Sequence, residues 1–178
     1  TFYELDPLVV KLAKDPTLFR SFDACAHGAP IVLGDARLTL HDAKPNLDLL
    51  VLDAFTSDSV PVHLLTKEAF ALYRARLSPH GIIVFHITNR NLELSDVVAG
   101  SAAANGMVMA LYPLHASGAD ISSYRFPSEV AVVAQSRQDL AALHLGPDWH
   151  PLAASGKIWR DDYSGVLGAL LKRLAASP

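Results

Sequence analysis

Three carboxylates each close an apolar run. Glu4 follows Phe2-Tyr3, Asp35 follows Ile31-Val32-Leu33 across Gly34, and Asp53 follows Leu47-Asp48-Leu49-Leu50-Val51-Leu52. Runs of this composition are strand-like, and in helix-covered sheets ligands bind beyond the carboxyl ends of the strands. A carboxylate there can accept both hydroxyls of a ribose. The bland alternative is that each acid caps the turn or helix that follows by accepting backbone N–H groups. Recurrence at three successive strand ends, on one expected rim of the sheet, argues for a ligand.

Other residue patterns carry less chemistry. The eight histidines (His27, His41, His63, His80, His86, His115, His144 and His150) include no i, i+4 pair of the kind that holds zinc on a helix, and one cysteine adds no ligand set, so no metal is expected. His86 ends an apolar strand, as a satisfied rim histidine or as part of an acceptor pocket. Ser57 and Ser59 flank Asp58 without a glycine elbow, which argues against a nucleophilic serine. Trp159 and Tyr163 read as core anchors, with Asp161 and Asp162 able to reach the rim through helix capping. Gly165 and Gly168 read as sites of close helix packing, and Cys25 as a partly buried, inert thiol.

The elements that must position these residues follow from periodicity. Residues 1 to 14 read as strand, then a helix capped by Asp6 with Pro7 at its first position. A second strand, Ile31-Val32-Leu33, leads through Gly34-Asp35-Ala36 into a short segment with Leu38 and Leu40. The third ends at Asp53. From Pro61 a helix capped by Thr66, with Phe70, Tyr73 and Leu77 at helical spacing, stops at Ser78-Pro79-His80-Gly81. Then come a strand at Ile82 to Ile87, a small-residue helix at about Ser95 to Asn105, and strands near Met107 to Leu111 and at Glu129 to Ala134. The irregular stretch from Pro113 to Pro127 has the length of a functional loop or of a plain surface excursion. Apolar strands alternating with helices predict the α/β doubly wound class with a mostly parallel sheet.

At 178 residues the chain is one domain's worth. It is 51% hydrophobic and 19% charged, too apolar for disorder, and no apolar run approaches the ~18 residues of a membrane helix. The net charge of −3, without basic blocks, predicts no nucleic-acid partner. A single cysteine and the lack of a signal-peptide pattern predict a cytoplasmic setting. The abrupt opening on Thr1-Phe2-Tyr3 reads as a piece of a longer protein.

Phe2-Tyr3-Glu4-Leu5-Asp6-Pro7, Gly34-Asp35-Ala36-Arg37 and the run from Leu52 through Asp53, Asp58 and Pro61 to Thr66 resemble, in order and spacing, the spermidine synthase-like proteins of bacteria. His86-Ile87-Thr88-Asn89-Arg90 and Trp159-Arg160-Asp161-Asp162-Tyr163-Ser164 are similar to the branch in which such a domain follows a membrane-embedded, transporter-like region. The resemblance implies a Rossmann-like, class I methyltransferase-type fold lacking its first strand and glycine-rich turn. It implies S-adenosylmethionine or its decarboxylated form as co-substrate, without metal, and a small-molecule amine as acceptor. Glu4 is then assigned to the ribose hydroxyls and Asp35, with Gly34 and the Ala36 backbone, to the adenine. Asp53 is assigned to orienting the ammonium and taking its proton, with Asp58 and His86 binding the acceptor. Thr56 stands where established synthases carry a second acid, and Ala54-Phe55 where they carry small hydroxyl residues.

The activity implied is aminopropyl transfer to an amine. Methyl transfer to a small molecule and a non-catalytic nucleotide- or amine-sensing module on a transporter are the alternatives. The implied strand lies between those ending at Glu4 and Asp53, so its absence predicts two open edges. They close either by pairing Phe2-Tyr3 with Leu49–Val51 or by borrowing a strand from a second copy, as a homodimer.

Overall fold

The computed structural model describes residues 1–53, 61–89, 91–114, 127–154 and 156–176. They form two compact units, Thr1–Lys44 and Pro45–Pro178.

In the first unit, β1 (Phe2–Glu4) pairs in parallel with β2 (Ile31–Leu33), through the helices α1 (Pro7–Ala13) and α2 (Ser21–Ala26), and β2 leads into α3 (Ala36–His41). The expected signals start both flanking helices. Asp6 accepts the Leu8 N–H at 2.7 Å ahead of Pro7, and Asp35 accepts the N–H groups of Arg37 and Leu38 at 2.9 and 3.1 Å. Between β2 and α3 the chain turns at Gly34, whose φ is +133° and whose missing Cβ would sit 2.9 Å from the Thr39 methyl. Only glycine meets both conditions without strain. Leu40 is buried here, whereas Leu5, Leu8, Val9, Leu12, Leu18 and Phe19 are exposed. Cys25 is exposed too, contrary to the expected partial burial, because none of the residues of α2 is fully covered.

The second unit is a five-stranded sheet of order β3-β4-β6-β5-β7: β3 (Leu47–Leu52), β4 (Leu77–His86), β5 (Val108–Leu114), β6 (Ser128–Ala134) and β7 (His150–Leu152). Its α-helices among the described residues are α4 (Lys67–Arg76), α5 (Ser95–Ala103), α6 (Arg137–Ala142) and α7 (Val166–Ala176). The α/β class is the one expected, and the sheet is mixed. β3 runs parallel to β4, while the β4–β6, β5–β6 and β5–β7 pairs are antiparallel. A short apolar run carries no mark of its direction, so periodicity alone does not distinguish these arrangements. Among the described residues β1 pairs with β2 alone and β3 with β4 alone.

Aromatic stacking ties α4 to the sheet. Phe85 of β4 lies on Phe70, with centroids 5.1 Å apart and planes 10° from parallel, and the Tyr73 hydroxyl donates to the Leu64 carbonyl at 3.1 Å. On α5, an ideal Cβ at Gly100 would fall 1.9 Å from the Lys157 carbonyl oxygen, so a side chain there is excluded by backbone. The Ser78-Pro79-His80-Gly81 segment ends α4, but as the start of β4 rather than a turn. Pro79 disfavours helix at Ser78, and the Ser78 hydroxyl donates to Asp48 at 2.7 Å.

Trp159 is buried, as expected of an anchor, but Tyr163 is exposed: its backbone makes a bridge with Arg160 that leaves the ring outside. The close helix packing expected at Gly168 is also absent, since a Cβ there would meet nothing within 4 Å. Among the described residues, no helix is long and apolar enough to cross a membrane.

Candidate functional site

Parallel pairing of β3 with β4 sets Leu52 opposite Phe85, so the next residues, Asp53 and His86, emerge together at the carboxyl ends of the two strands. His86 Nδ1 lies 2.8 Å from Asp53 Oδ1. On its other side, His86 Nε2 is 2.8 Å from Thr88 Oγ1, and that oxygen accepts the Glu129 N–H at 2.8 Å. Strand alternation explains the grouping. Ile83, Phe85 and Ile87 are fully buried on one face, where Phe85 meets α4, whereas His86 and Thr88 share the other face and are half-buried.

The Asp53 side chain is 66% exposed and that of His86 41%, so the pair meets water and is not a buried ion pair held for stability. An exposed carboxylate with one oxygen engaged by an imidazole can still hold a cation and accept a proton.

In the first unit, the Glu4 carbonyl accepts the Gly34 N–H at 3.0 Å, which joins the carboxyl ends of β1 and β2 and puts Glu4 and Asp35 on one rim. Glu4 Oε1 accepts the Asp6 N–H at 2.9 Å, and Asp35 Oδ1 caps α3. Both acids therefore do the capping work that any acid could do there. Glu4 also lines a hollow of about 640 Å³ walled by Phe2, Val10, Phe22 and Ile31, and Asp35 is not part of its lining. Apolar walls with a carboxylate at a strand end fit a nucleoside through Glu4. Ala36 is the first residue of α3.

Asp58 lies outside the described residues. Among those described, no group of three or more His, Cys, Asp or Glu is placed to hold a metal ion. Asp161 accepts the Thr66 hydroxyl at 2.7 Å and donates its N–H to Glu68 at 3.1 Å, and Asp162 lies 3.5 Å from the Arg160 guanidinium. This cluster fastens the segment at Trp159 to the start of α4, where Lys67 N–H also bonds the Trp159 carbonyl. Thr88 is the neighbour that sequence reasoning passed over. Its signal was present: two residues after His86 on a strand means the same face.

No family model matches the chain. It is 31% identical over 84 residues to a polyamine aminopropyltransferase of Vibrio vulnificus (strain CMCP6), a match covering 46% of this chain and 27% of that protein. Among solved structures it is similar to a probable spermidine synthase from Corynebacterium glutamicum, with TM-score 0.56 and 15% identity, covering 92% of this chain and 63% of that one. It is also similar to a spermidine synthase in complex with the transition-state analogue AdoDATO (TM-score 0.52, 13% identity, 98% and 59% covered). The spermidine synthase of Thermotoga maritima is a third (TM-score 0.53, 13% identity, 98% and 60% covered). The chain thus spans about three-fifths of each of these structures. The chain is thus similar in fold to these spermidine synthases, and over those 84 residues in sequence to the Vibrio vulnificus polyamine aminopropyltransferase.

Proposed function

We propose that the protein transfers an aminopropyl group from decarboxylated S-adenosylmethionine to a small-molecule amine. The observation that carries this reading is the Asp53 carboxylate, standing at a strand end with Oδ1 held 2.8 Å from His86 Nδ1. Asp53 binds the acceptor as its ammonium, takes one proton from it, and leaves the nitrogen lone pair aimed at the carbon to be attacked. The donor, when bound, supplies a methylene made electrophilic by its sulfonium. The new N–C bond forms as the C–S bond breaks, and sulfur keeps that electron pair as a neutral thioether. Glu4, through its carboxylate, and Gly34, Asp35 and Ala36, through the β2–α3 turn, are the donor's binding residues in this reading. His86 and Asp58 serve the acceptor.

A second reading draws support from Thr56, which stands where a second acid is expected: the same residues would bind nucleotide and amine as a sensor without transferring anything. Titration calorimetry with S-adenosylmethionine, its decarboxylated form and methylthioadenosine, joined to turnover assays, separates the readings, with binding but no turnover favouring the sensor. Aminopropyl transfer predicts preference for the decarboxylated donor and its thioether product. Preference for S-adenosylmethionine would favour methyl transfer instead. A cytoplasmic location, attachment to a membrane region and a homodimer belong to the same proposal.

A further inference from the structure

We infer that Thr88 is a positioning residue for Asp53, acting through His86 by holding the imidazole ring so that its Nδ1–H meets the carboxylate. Only the functional consequence of this inference rests on the reading of Asp53 as the amine-binding carboxylate.

The hydrogen-bond directions follow from what each group can do. A backbone amide only donates, so the Glu129 N–H at 2.8 Å occupies a lone pair of Thr88 Oγ1. An ionised carboxylate only accepts, so the proton in the 2.8 Å contact between His86 and Asp53 is on Nδ1. In its neutral form the ring then presents a bare Nε2, and the Thr88 hydroxyl, 2.8 Å away, has its own hydrogen left to donate. All three bonds run the same way: Glu129 N–H to Thr88, Thr88 O–H to His86, His86 N–H to Asp53. Bonds aligned in series polarise one another.

The opposite tautomer would set a bare Nδ1 against the Asp53 oxygen, lone pair to lone pair. Thr88 is itself seated by backbone, because Ile87 N–H bonds the Glu129 carbonyl at 2.9 Å and continues the ladder past the end of β4. The sheet thereby determines the hydroxyl, the hydroxyl the ring, and the ring the carboxylate. Among the described residues Asp53 Oδ2 takes no hydrogen bond, which leaves it to the ammonium.

The test combines nitrogen NMR with kinetics on Thr88→Val, which keeps the β-branched shape but has no hydroxyl, and Thr88→Ser, which restores it. In 15N-histidine-labelled protein, with the His86 signals identified by their loss in His86→Gln, wild type and Thr88→Ser should show a protonated Nδ1 and a bare Nε2. Thr88→Val should leave the proton on Nδ1, where Asp53 accepts it, and move the Nε2 signal to that of a nitrogen without the Thr88 hydrogen bond. Amine turnover should fall about tenfold or more in Thr88→Val, through kcat, and return in Thr88→Ser, with donor affinity unmoved. A wild-type Nε2–H tautomer, a Thr88→Val spectrum like that of wild type, or a shift of the Nε2 signal without loss of kcat would each overturn the inference. If no amine is turned over by wild type while the tautomer pattern is as stated, the structural role of Thr88 stands and the reading of Asp53 as catalytic falls.

Discussion

At the scale of single residues, Asp53 and Glu4 are acids of the same kind in the same setting, a strand end, yet the structure uses them differently. Glu4 spends Oε1 on the Asp6 amide, while Asp53 meets a histidine from a neighbouring strand. The strand-end position of both was legible from the apolar runs before them. The histidine partner was not, because it depends on register between strands some thirty residues apart in sequence. The bond that seats Thr88 was not legible either, because it crosses from the segment just past β4 to Glu129 of β6. If Asp53 takes the acceptor's proton, Asp53→Asn should reduce turnover ~10²-fold or more, because the amide cannot serve as base. Donor affinity, measured by calorimetry, should stay within a small factor of wild type, since the adenosine is assigned to Glu4 and Asp35. Unchanged turnover would remove Asp53 from the chemistry.

At the scale of elements, local signals that act within a few residues were the readable ones. Asp6, Thr66 and Gly34 mark starts and turns because capping and left-handed backbone need specific side chains, or none, at one position. Gly100 gave no such signal. Its requirement comes from the Lys157 carbonyl, which packs against α5 from far along the chain. Gly100→Ala should therefore destabilise the second unit by about 1–3 kcal/mol despite the better helix propensity of alanine, as read from urea midpoints.

The start of α6 makes a pH-dependent prediction. The Ser136 hydroxyl donates to Asp139 at 2.6 Å, and His80 lies 2.7 Å from its other oxygen. These two partners, Ser136 foremost, hold the Asp139 carboxyl below its usual range. Folding thus lowers this pKa from an unfolded value of about 3.9, so the contribution is complete above that value and is lost as acidification passes the folded one. Asp139→Asn should lower the melting temperature at pH 7, and the gap to wild type should narrow steadily below about pH 4. A gap independent of pH would assign the effect to helix capping alone.

At the scale of the whole molecule, the α/β class was legible because helical and strand periods alternate along the chain. The mixed direction of the sheet and the separate β1–β2 pair were not, since pairing partners leave no local trace. β3 has one strand partner among the described residues, and Leu49 and Val51 on it are more than half exposed. An apolar strand with an open edge pairs readily with another chain. Light scattering on the isolated chain should therefore show self-association that Val51→Lys weakens, while a strictly monomeric wild type would show that this edge is covered.

The central claim, that Asp53 serves an aminopropyl transfer, is tested most directly by product analysis. Protein incubated with decarboxylated S-adenosylmethionine and a panel of diamines should release methylthioadenosine and aminopropylated amine in equal amounts, by mass spectrometry, with both suppressed in Asp53→Asn. Tight nucleotide binding without either product, or S-adenosylhomocysteine formed from S-adenosylmethionine, would contradict it.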